Sequence, residues 1–522
     1  MTSAERLPII YVRGYAGPPR GIDKQVDDPF YGFNAGATHV RMNSDRDPRF
    51  YQFESPILRL MTDEGYTLLV HGDQHVYLES RPDRTVPPAS IWVHRFYDYA
   101  ASTFGTSIGD TREPFDLEQA AERLYDLVQL VRRKTGAPKV YLVAHSMGGL
   151  IARCMIEKVA RGVDPRTGQA RDPASELVDK LFTYGTPHGG IVFDIGGGLV
   201  DWAMETFGPY GSDIFAPHLM YGYLTPGVAR GTHAPEGWQP NEIAQDAFDV
   251  RRVFCLVGTD ATDYGLVEKA IGPPSDGLVR VGNASVLGAH SAFVHRAHSG
   301  RYGLVNSEEG YQNLRRFLFG SYEARLDLTG LALPDPQAPH AARSWQAEVR
   351  VAVRGLPIVL HEQLSAHCCP IQLGHGPGGQ RGDAPVPVVA LATVFLLDPA
   401  RFRTDDAEAP PRRRYTLTLR VLHLTETHRG FLWEHHLEQV ADWEDTLIVD
   451  VGRRDDDPET AMRVWTAWNS ALPGAAEDHD PVSAENHPFD GDGFHCDIAP
   501  PPVACPVLGE GARLRLTVSR RR

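Results

Sequence analysis

The sequence is poor in the features that would place it in a specialised class. Cysteine is scarce: six residues in a chain of 522, too few and too scattered for a disulfide framework, and consistent with a reducing compartment. No apolar run approaches the ~18 residues that a membrane-spanning helix needs. The N-terminus, "MTSAERLPIIYVRGYAG", lacks a basic region followed by a long apolar stretch, so no secretory signal is read there. Taken at face value this points to the cytoplasm, although specialised export leaves no such mark. Positive charge is also in deficit, with 52 Lys+Arg against 67 Asp+Glu and a formal net charge of -15. The short basic runs at 132–134, 412–414 and 520–522 are not gathered into one patch, which argues against nucleic acid as a partner.

What remains is an ordinary globular composition, 42% hydrophobic and 23% charged, in a chain too long for a single core. From residue 7 to about 320, short apolar runs alternate with helical patterns, as in a mostly parallel sheet covered by helices on both faces. Strands are expected at 9–12, 67–70, 91–96, 140–144, 181–184 and 253–257. Leu117, Ala120, Ala121, Leu124, Val128 and Val131 recur at helical spacing after Asp116, an N-cap with Gln119 three residues on, and the helix should stop at Gly136 before Pro138. Long segments near 17–56 and 191–250, rich in Gly, Pro and aromatics, interrupt this core as lid-like insertions. A Pro/Ala-rich stretch within 323–345 reads as a linker, and from 346 to 522 period-2 runs such as "WQAEVRVAVRG" and "ARLRLTVSR" predict an antiparallel β-sandwich accessory domain. The catalytic domain is thus expected over 1–322.

The chemistry is concentrated in "VYLVAHSMGGLIARCM", an apolar strand that turns through His-Ser-Met-Gly-Gly into a helix. Two roles compete for Ser146. It can cap the helix, as serine often does. Alternatively it can sit on a sharp strand-to-helix turn as a nucleophile, which requires small flanking residues because the two backbones nearly touch. Ala144 and Gly148 supply them, giving A-x-S-x-G where G-x-S-x-G is the commoner form.

In "VAHSMGGL", in "TYGTPHGG" (183–190), in "SDGLV" (275–279) and in a late His before a closing helix, the sequence resembles the α/β-hydrolase superfamily, specifically bacterial lipases and PGAP1-like esterases. The resemblance covers about residues 7 to 320. It implies an α/β-hydrolase fold and a triad in the order Ser, acid, His: Ser146, Asp276 and His298, with Asp260 and His295 as the alternative acid and base. His298 precedes Asn306, an expected N-cap with Glu309 three residues on. The implied oxyanion donors are the backbone N–H groups of Met147 and Tyr15. Related lipases commonly carry His-Gly where this sequence has Arg13-Gly14; Arg13 either pairs with a buried carboxylate, the favoured reading, or binds an acidic portion of substrate. Asp98 and His188 are expected to orient loops, and His71 and His75 are left unassigned.

These parts imply a serine hydrolase of carboxylic esters, acting on hydrophobic or lipid substrates because the insertions carry many Phe, Tyr, Trp, Met and Leu. An acyltransferase on the same triad, a phospholipase-type effector whose sandwich targets a membrane or a partner, and an inactive binding protein are the alternatives. No cofactor is called for, and no calcium ligand set can be picked out. His367, Cys368, Cys369, His375, His495, Cys496 and Cys505 give only a superficial zinc pattern, with spacing unsuited to one tetrahedral ion. The two His of "EHHLE" (434–438) should point apart within a strand. Peripheral membrane contact and a protein partner for the sandwich stay open.

Overall fold

A computed structural model describes residues 6–15, 24, 27–28, 30–42, 48–68, 74–98, 115–191, 215–261, 275–300, 303–334, 343–354, 356–373, 388–397, 412–425, 441–454, 457–474, 485–488 and 493–521. The chain divides into two compact units, one of residues 1–291 and 295–314, the other of 292–294 and 315–522. The division passes through one strand and one helix.

Chain order gives strands β1 (Ile9–Val12), β2 (Ala37–Met42), β3 (Pro48–Phe53), β4 (Thr67–Leu68), β5 (Ser90–His94), β6 (Val140–His145), β7 (Val178–Tyr184), β8 (Val253–Gly258) and β9 (His290–Val294). All but β2 and β3 form a seven-stranded sheet in the order β4-β5-β1-β6-β7-β8-β9; β2 and β3 pair as an antiparallel hairpin within the first insertion. Every residue of β1, β5, β6 and β8 is buried. Parallel strands covered on both faces have no solvent side, and their sequences are accordingly apolar without alternation. β1 pairs in parallel with β5 on one side and β6 on the other, Val12 lying opposite both His94 and Ala144. Strand order therefore reverses around β1 and β6. A crevice opens beyond the carboxyl ends of strands at such a point, which is where open α/β sheets bind ligands.

The helix Leu117–Thr135 forms as its spacing predicts. Asp116 accepts from the amide of Gln119 at 2.9 Å, and Gly136, at φ 72°, returns its N–H to the carbonyl of Arg132 at 2.8 Å. The basic run 132–134 belongs to its last turn, where positive charge meets the negative end of the helix dipole. The helix Met147–Glu157 is buried along its whole length. Its Arg153 is fully buried and donates to Glu157 at 2.6 Å and to the carbonyls of His188, Pro240 and Glu242 at 3.1, 2.7 and 3.0 Å, so one guanidinium ties the second insertion to the sheet.

Several expectations shift. β5 ends at His94, not 96, and of the strand expected at 67–70 only Thr67–Leu68 is described. β9 was not expected. Among the described residues of the insertions, Tyr31, Phe33, Phe215, Met220, Tyr223, Leu224 and Phe248 are buried, whereas Phe30, Leu219, Tyr221 and Trp238 are half-buried. Residues 16–23 and 192–214 lie outside the described parts.

The second unit is all-antiparallel. It comprises β10 (Tyr322–Thr329), β11 (Arg343–Val353), β12 (Val359–Gln363), β13 (Ile371–Gln372), β14 (Val388–Leu396), β15 (Arg412–Thr425), β16 (Trp443–Arg454), β17 (Asp457–Trp468), β18 (Glu485–Pro488), β19 (Gly493–Ile498) and β20 (Arg513–Arg520). One sheet runs β14-β10-β20-β19 and the other β12-β11-β15-β16-β17-β18 with β13 on β11, and their apolar faces share a core of Leu326, Val351, Leu417, Val449 and Leu516. β10 occupies part of the span 323–345 that the composition marks as a linker: "RLDLT" alternates like a strand, and its Leu326 and Leu328 are buried. Residues 335–342 of that span, His375 and the "EHHLE" segment fall outside the described residues.

All six cysteines are free; Cys368 is exposed, Cys505 intermediate, and Cys154, Cys255, Cys369 and Cys496 are buried. Among the described residues, no group of three or more His, Cys, Asp or Glu is arranged to hold a metal ion. No helix of these residues is long and apolar enough to cross a membrane.

Candidate active site

Ser146 follows β6 directly and occupies φ 53°, ψ -127°, a region that non-glycine residues adopt only under constraint. The constraint is visible in the packing. A Cβ on Gly148 would lie 2.3 Å from the carbonyl oxygen of Val12, and one on Gly149 would lie 2.1 Å from Thr186 Oγ1. Two glycines therefore let the helix start close over the end of β1, and the turn between strand and helix has no slack. Thr186 Oγ1 donates to the Ser146 carbonyl at 2.9 Å, and the Ser146 amide donates to Tyr184 at 2.9 Å, fixing the elbow from the β7 side.

The Ser146 hydroxyl makes no capping bond. It lies 2.9 Å from His298 Nε2, and His298 Nδ1 lies 2.8 Å from Asp276 Oδ2. The other oxygen of Asp276 accepts the amides of Leu278 and Val279 at 3.1 and 2.7 Å, and the His298 amide donates to the Asp276 carbonyl at 2.9 Å. Ser146, Asp276 and His298 are all buried. A carboxylate on Nδ1 sets the tautomer: the proton sits on Nδ1, leaving Nε2 a lone pair aimed at the serine hydroxyl.

Asp276 reaches this place because the chain returns over the end of β8. A Cβ on Gly258 would meet Asp276 Cβ at 2.7 Å, and one on Gly185 would meet Asp276 Oδ2 at 2.9 Å and His298 Nδ1 at 3.1 Å. Neither glycine stood out in the sequence, because a glycine at a strand end gives no sign of what packs against it. The alternatives lie elsewhere. Asp260 is half-buried with its amide on the Arg296 carbonyl at 3.3 Å, and exposed His295 has Nδ1 3.3 Å from Thr259 Oγ1.

His145 was read only as part of the motif, yet it touches His298. Its Nε2 is 3.0 Å from the His298 carbonyl, and its ring lies 5.1 Å from that of His298. Burial, with the nearby charge of Arg13, pushes its pKa well below the usual histidine value. The ring is neutral, so Nε2 donates to the carbonyl and Nδ1 is a buried acceptor without a partner.

The loop after β1 completes the site. A Cβ on Gly14 would fall 2.7 Å from Ser146 Cβ, so this loop lies directly against Ser146. Met147, the first residue of its helix, has an amide with no carbonyl four residues back to receive it. Tyr15 is partly buried and its phenol is pushed up to about 12 by burial. The carboxylate partner expected for Arg13 is not found: among the described residues no hydrogen bond or ion pair reaches its guanidinium, and Nε is buried. Asp98 accepts from Tyr31 and from Arg95 Nε, the latter at 2.7 Å, joining two loops. His188 is buried with Nε2 3.1 Å from Thr183 Oγ1; His75 lies on the short helix Gln74–Ser80, and His71 is outside the described residues.

Sheet order, the strained strand-to-helix turn at Ser146 and the Ser146–His298–Asp276 contacts define the first unit as an α/β-hydrolase fold. Over residues 69–204 the chain is similar to the lipase (class 2) family. No curated protein matches it. Among solved structures it is similar to a gene product of Listeria innocua (14% identity, 60% of this chain and 94% of that one, TM-score 0.26). It is also similar to a Bacillus licheniformis lipase in mature form (14%, 60% and 91%, 0.29) and to Aspergillus fumigatus lipase B (10%, 56% and 46%, 0.25).

Proposed function

We propose that the protein hydrolyses carboxylic esters with a hydrophobic acyl portion through an acyl-enzyme on Ser146. The observation that carries this reading is the 2.9 Å contact between the hydroxyl of a strained, buried serine and the lone pair of His298. His298 takes the hydroxyl proton as Ser146 attacks the ester carbonyl, and Asp276 stabilises the imidazolium that forms. The amides of Met147 and Tyr15 receive the oxyanion of the tetrahedral intermediate. His298 then returns the proton to the leaving alcohol, and a water activated by the same base releases the acid. The preference for a hydrophobic acyl group is supported by the similarity to class 2 lipases.

The test is hydrolysis of p-nitrophenyl esters of graded chain length. Ser146→Ala is expected to abolish turnover and labelling by a fluorophosphonate probe, and activity surviving that change would sink the mechanism. Asp276→Asn should lower kcat by about 10³-fold or more, because the amide favours the wrong histidine tautomer. Asp260→Asn and His295→Gln should each stay within about twofold of wild type, since neither group touches the relay.

A further inference from the structure

Arg13 stands immediately after β1, and the neighbouring strand β6 is in register with it, Val12 lying opposite Ala144. Its next neighbour, Gly14, packs on Ser146. The side chain runs against Gly32 and Phe33 of the first insertion. Its guanidinium carbon lies 5.5 Å from the centre of the Phe33 ring, and a Cβ on Gly32 would lie only 2.5 Å from Nη1. Gly32, at φ +79°, thus leaves room for the guanidinium, and any side chain there would displace it.

The described carboxylates around this charge are already engaged. Asp98 is held by Arg95 and Tyr31. Asp28 is near enough to act on Arg13 through space, but its two oxygens accept the amides of Phe30 and Gly32 at 2.8 and 3.1 Å. A half-buried guanidinium with no bonded counter-charge among the described residues is costly to keep, and burial lowers its pKa accordingly. Such a group is stabilised by a ligand that brings the missing anion, and the planar fork suits a carboxylate or a phosphate in two-point contact.

We infer that Arg13 is an anion subsite of the ester-binding site, taking a carboxylate or phosphate group carried by the substrate close to its scissile bond. The substrate class is then an anionic amphiphilic ester. This rests on the hydrolase reading above and narrows it.

Two pairs of esters test the inference on the full-length protein. The first compares the p-nitrophenyl monoester of glutaric acid with p-nitrophenyl butyrate, placing a carboxylate on the acyl side. The second compares phosphatidylglycerol with diacylglycerol at equal surface fraction in mixed micelles, placing a phosphate on the alcohol side. In at least one pair the wild-type kcat/KM ratio, charged over neutral, should exceed one. It should fall about tenfold or more in Arg13→Met and less in Arg13→Lys, as loss of a charge-assisted bidentate contact requires. A response in the first pair alone assigns the anion to the acyl group, and in the second alone to the headgroup. Equal losses on both members of each pair, leaving the ratios unchanged, would mark Arg13 as merely structural and overturn the inference. Should Arg13→Met fail to fold, the wild-type ratios decide, and values at or below one in both pairs overturn it. Absence of Ser146-dependent hydrolysis of all four esters would instead overturn the hydrolase reading.

Discussion

At the scale of single residues, the site depends on groups that do no chemistry. Gly185 and Gly258 leave the space in which Asp276 and His298 meet. Gly185→Ala places a methyl group about as close to both as a hydrogen-bonded atom, and in a left-handed backbone conformation, so the relay must open. Kcat is expected to fall by about 10²-fold or more, as small displacements of reacting groups do, with a melting temperature showing that the fold persists. His145 acts one step further back, through the carbonyl of His298. His145→Leu removes that donor and should lower kcat with little change in KM, while His145→Gln, whose amide nitrogen reaches a similar place, should restore much of it. Equal loss in both variants would show that the ring matters for packing alone. Of the proposed triad, the sequence pointed to Ser146 through its small neighbours, whereas Asp276 over Asp260 and His298 over His295 came from resemblance. The physical reason for the acid is a turn in which the amides of Leu278 and Val279 face the carboxylate, and nothing in "SDGLV" announces that except the glycine.

At the scale of elements, legibility followed periodicity and capping. The helix Leu117–Thr135 was readable because its apolar stripe, its Asp116 cap and its Gly136 stop agree. The closing helix Glu308–Phe319 was placed one residue early: Asn306 belongs to a 3₁₀ turn, Leu304–Asn306, and Ser307 Oγ accepts the amide of Gly310 at 2.9 Å. β9 escaped because "HSAFV" is short and only two of its five residues are buried. β10 escaped because its alternation abuts a Pro/Ala-rich stretch that dominates any composition window. The helix Met147–Glu157 carries a sharper dependence on one residue. Arg153→Met would strand buried Glu157, whose pKa burial already raises, and leave three carbonyls unpaired. A loss of about 3–5 kcal/mol in urea unfolding is expected, with Glu157→Gln in the same background recovering part of it.

At the scale of the whole molecule, buried histidines set the response to acid. His94 is pushed down to about 3 by burial, and His145 and His188 lie well below their usual value for the same reason. All three belong to the first unit. Above pH ~6.5 neither the folded nor the unfolded chain protonates them, and their full contribution to stability is present. Below it the unfolded chain binds protons that the folded chain refuses, so stability falls by about 1.4 kcal/mol per pH unit for each histidine until the folded values are reached. In the second unit only His361, held at about 4 by burial, behaves this way among the described residues. Thermal melts between pH 7.5 and 5 should show the melting of the first unit moving down faster than that of the second, and equal shifts would contradict the assignment.

The free thiols turn these units into their own gauges. Two buried cysteines, Cys154 and Cys255, lie in the first unit, and the remaining four lie in the second, where Cys368 is already open to solvent. A thiol reagent added to the folded protein should therefore modify Cys368 at once and Cys505 more slowly. Titrated during denaturation, Cys154 and Cys255 date the opening of the hydrolase core, and Cys369 with Cys496 dates that of the sandwich. Peptide mapping of the modified sites then gives a separate unfolding clock for each half of the chain, with no engineered label.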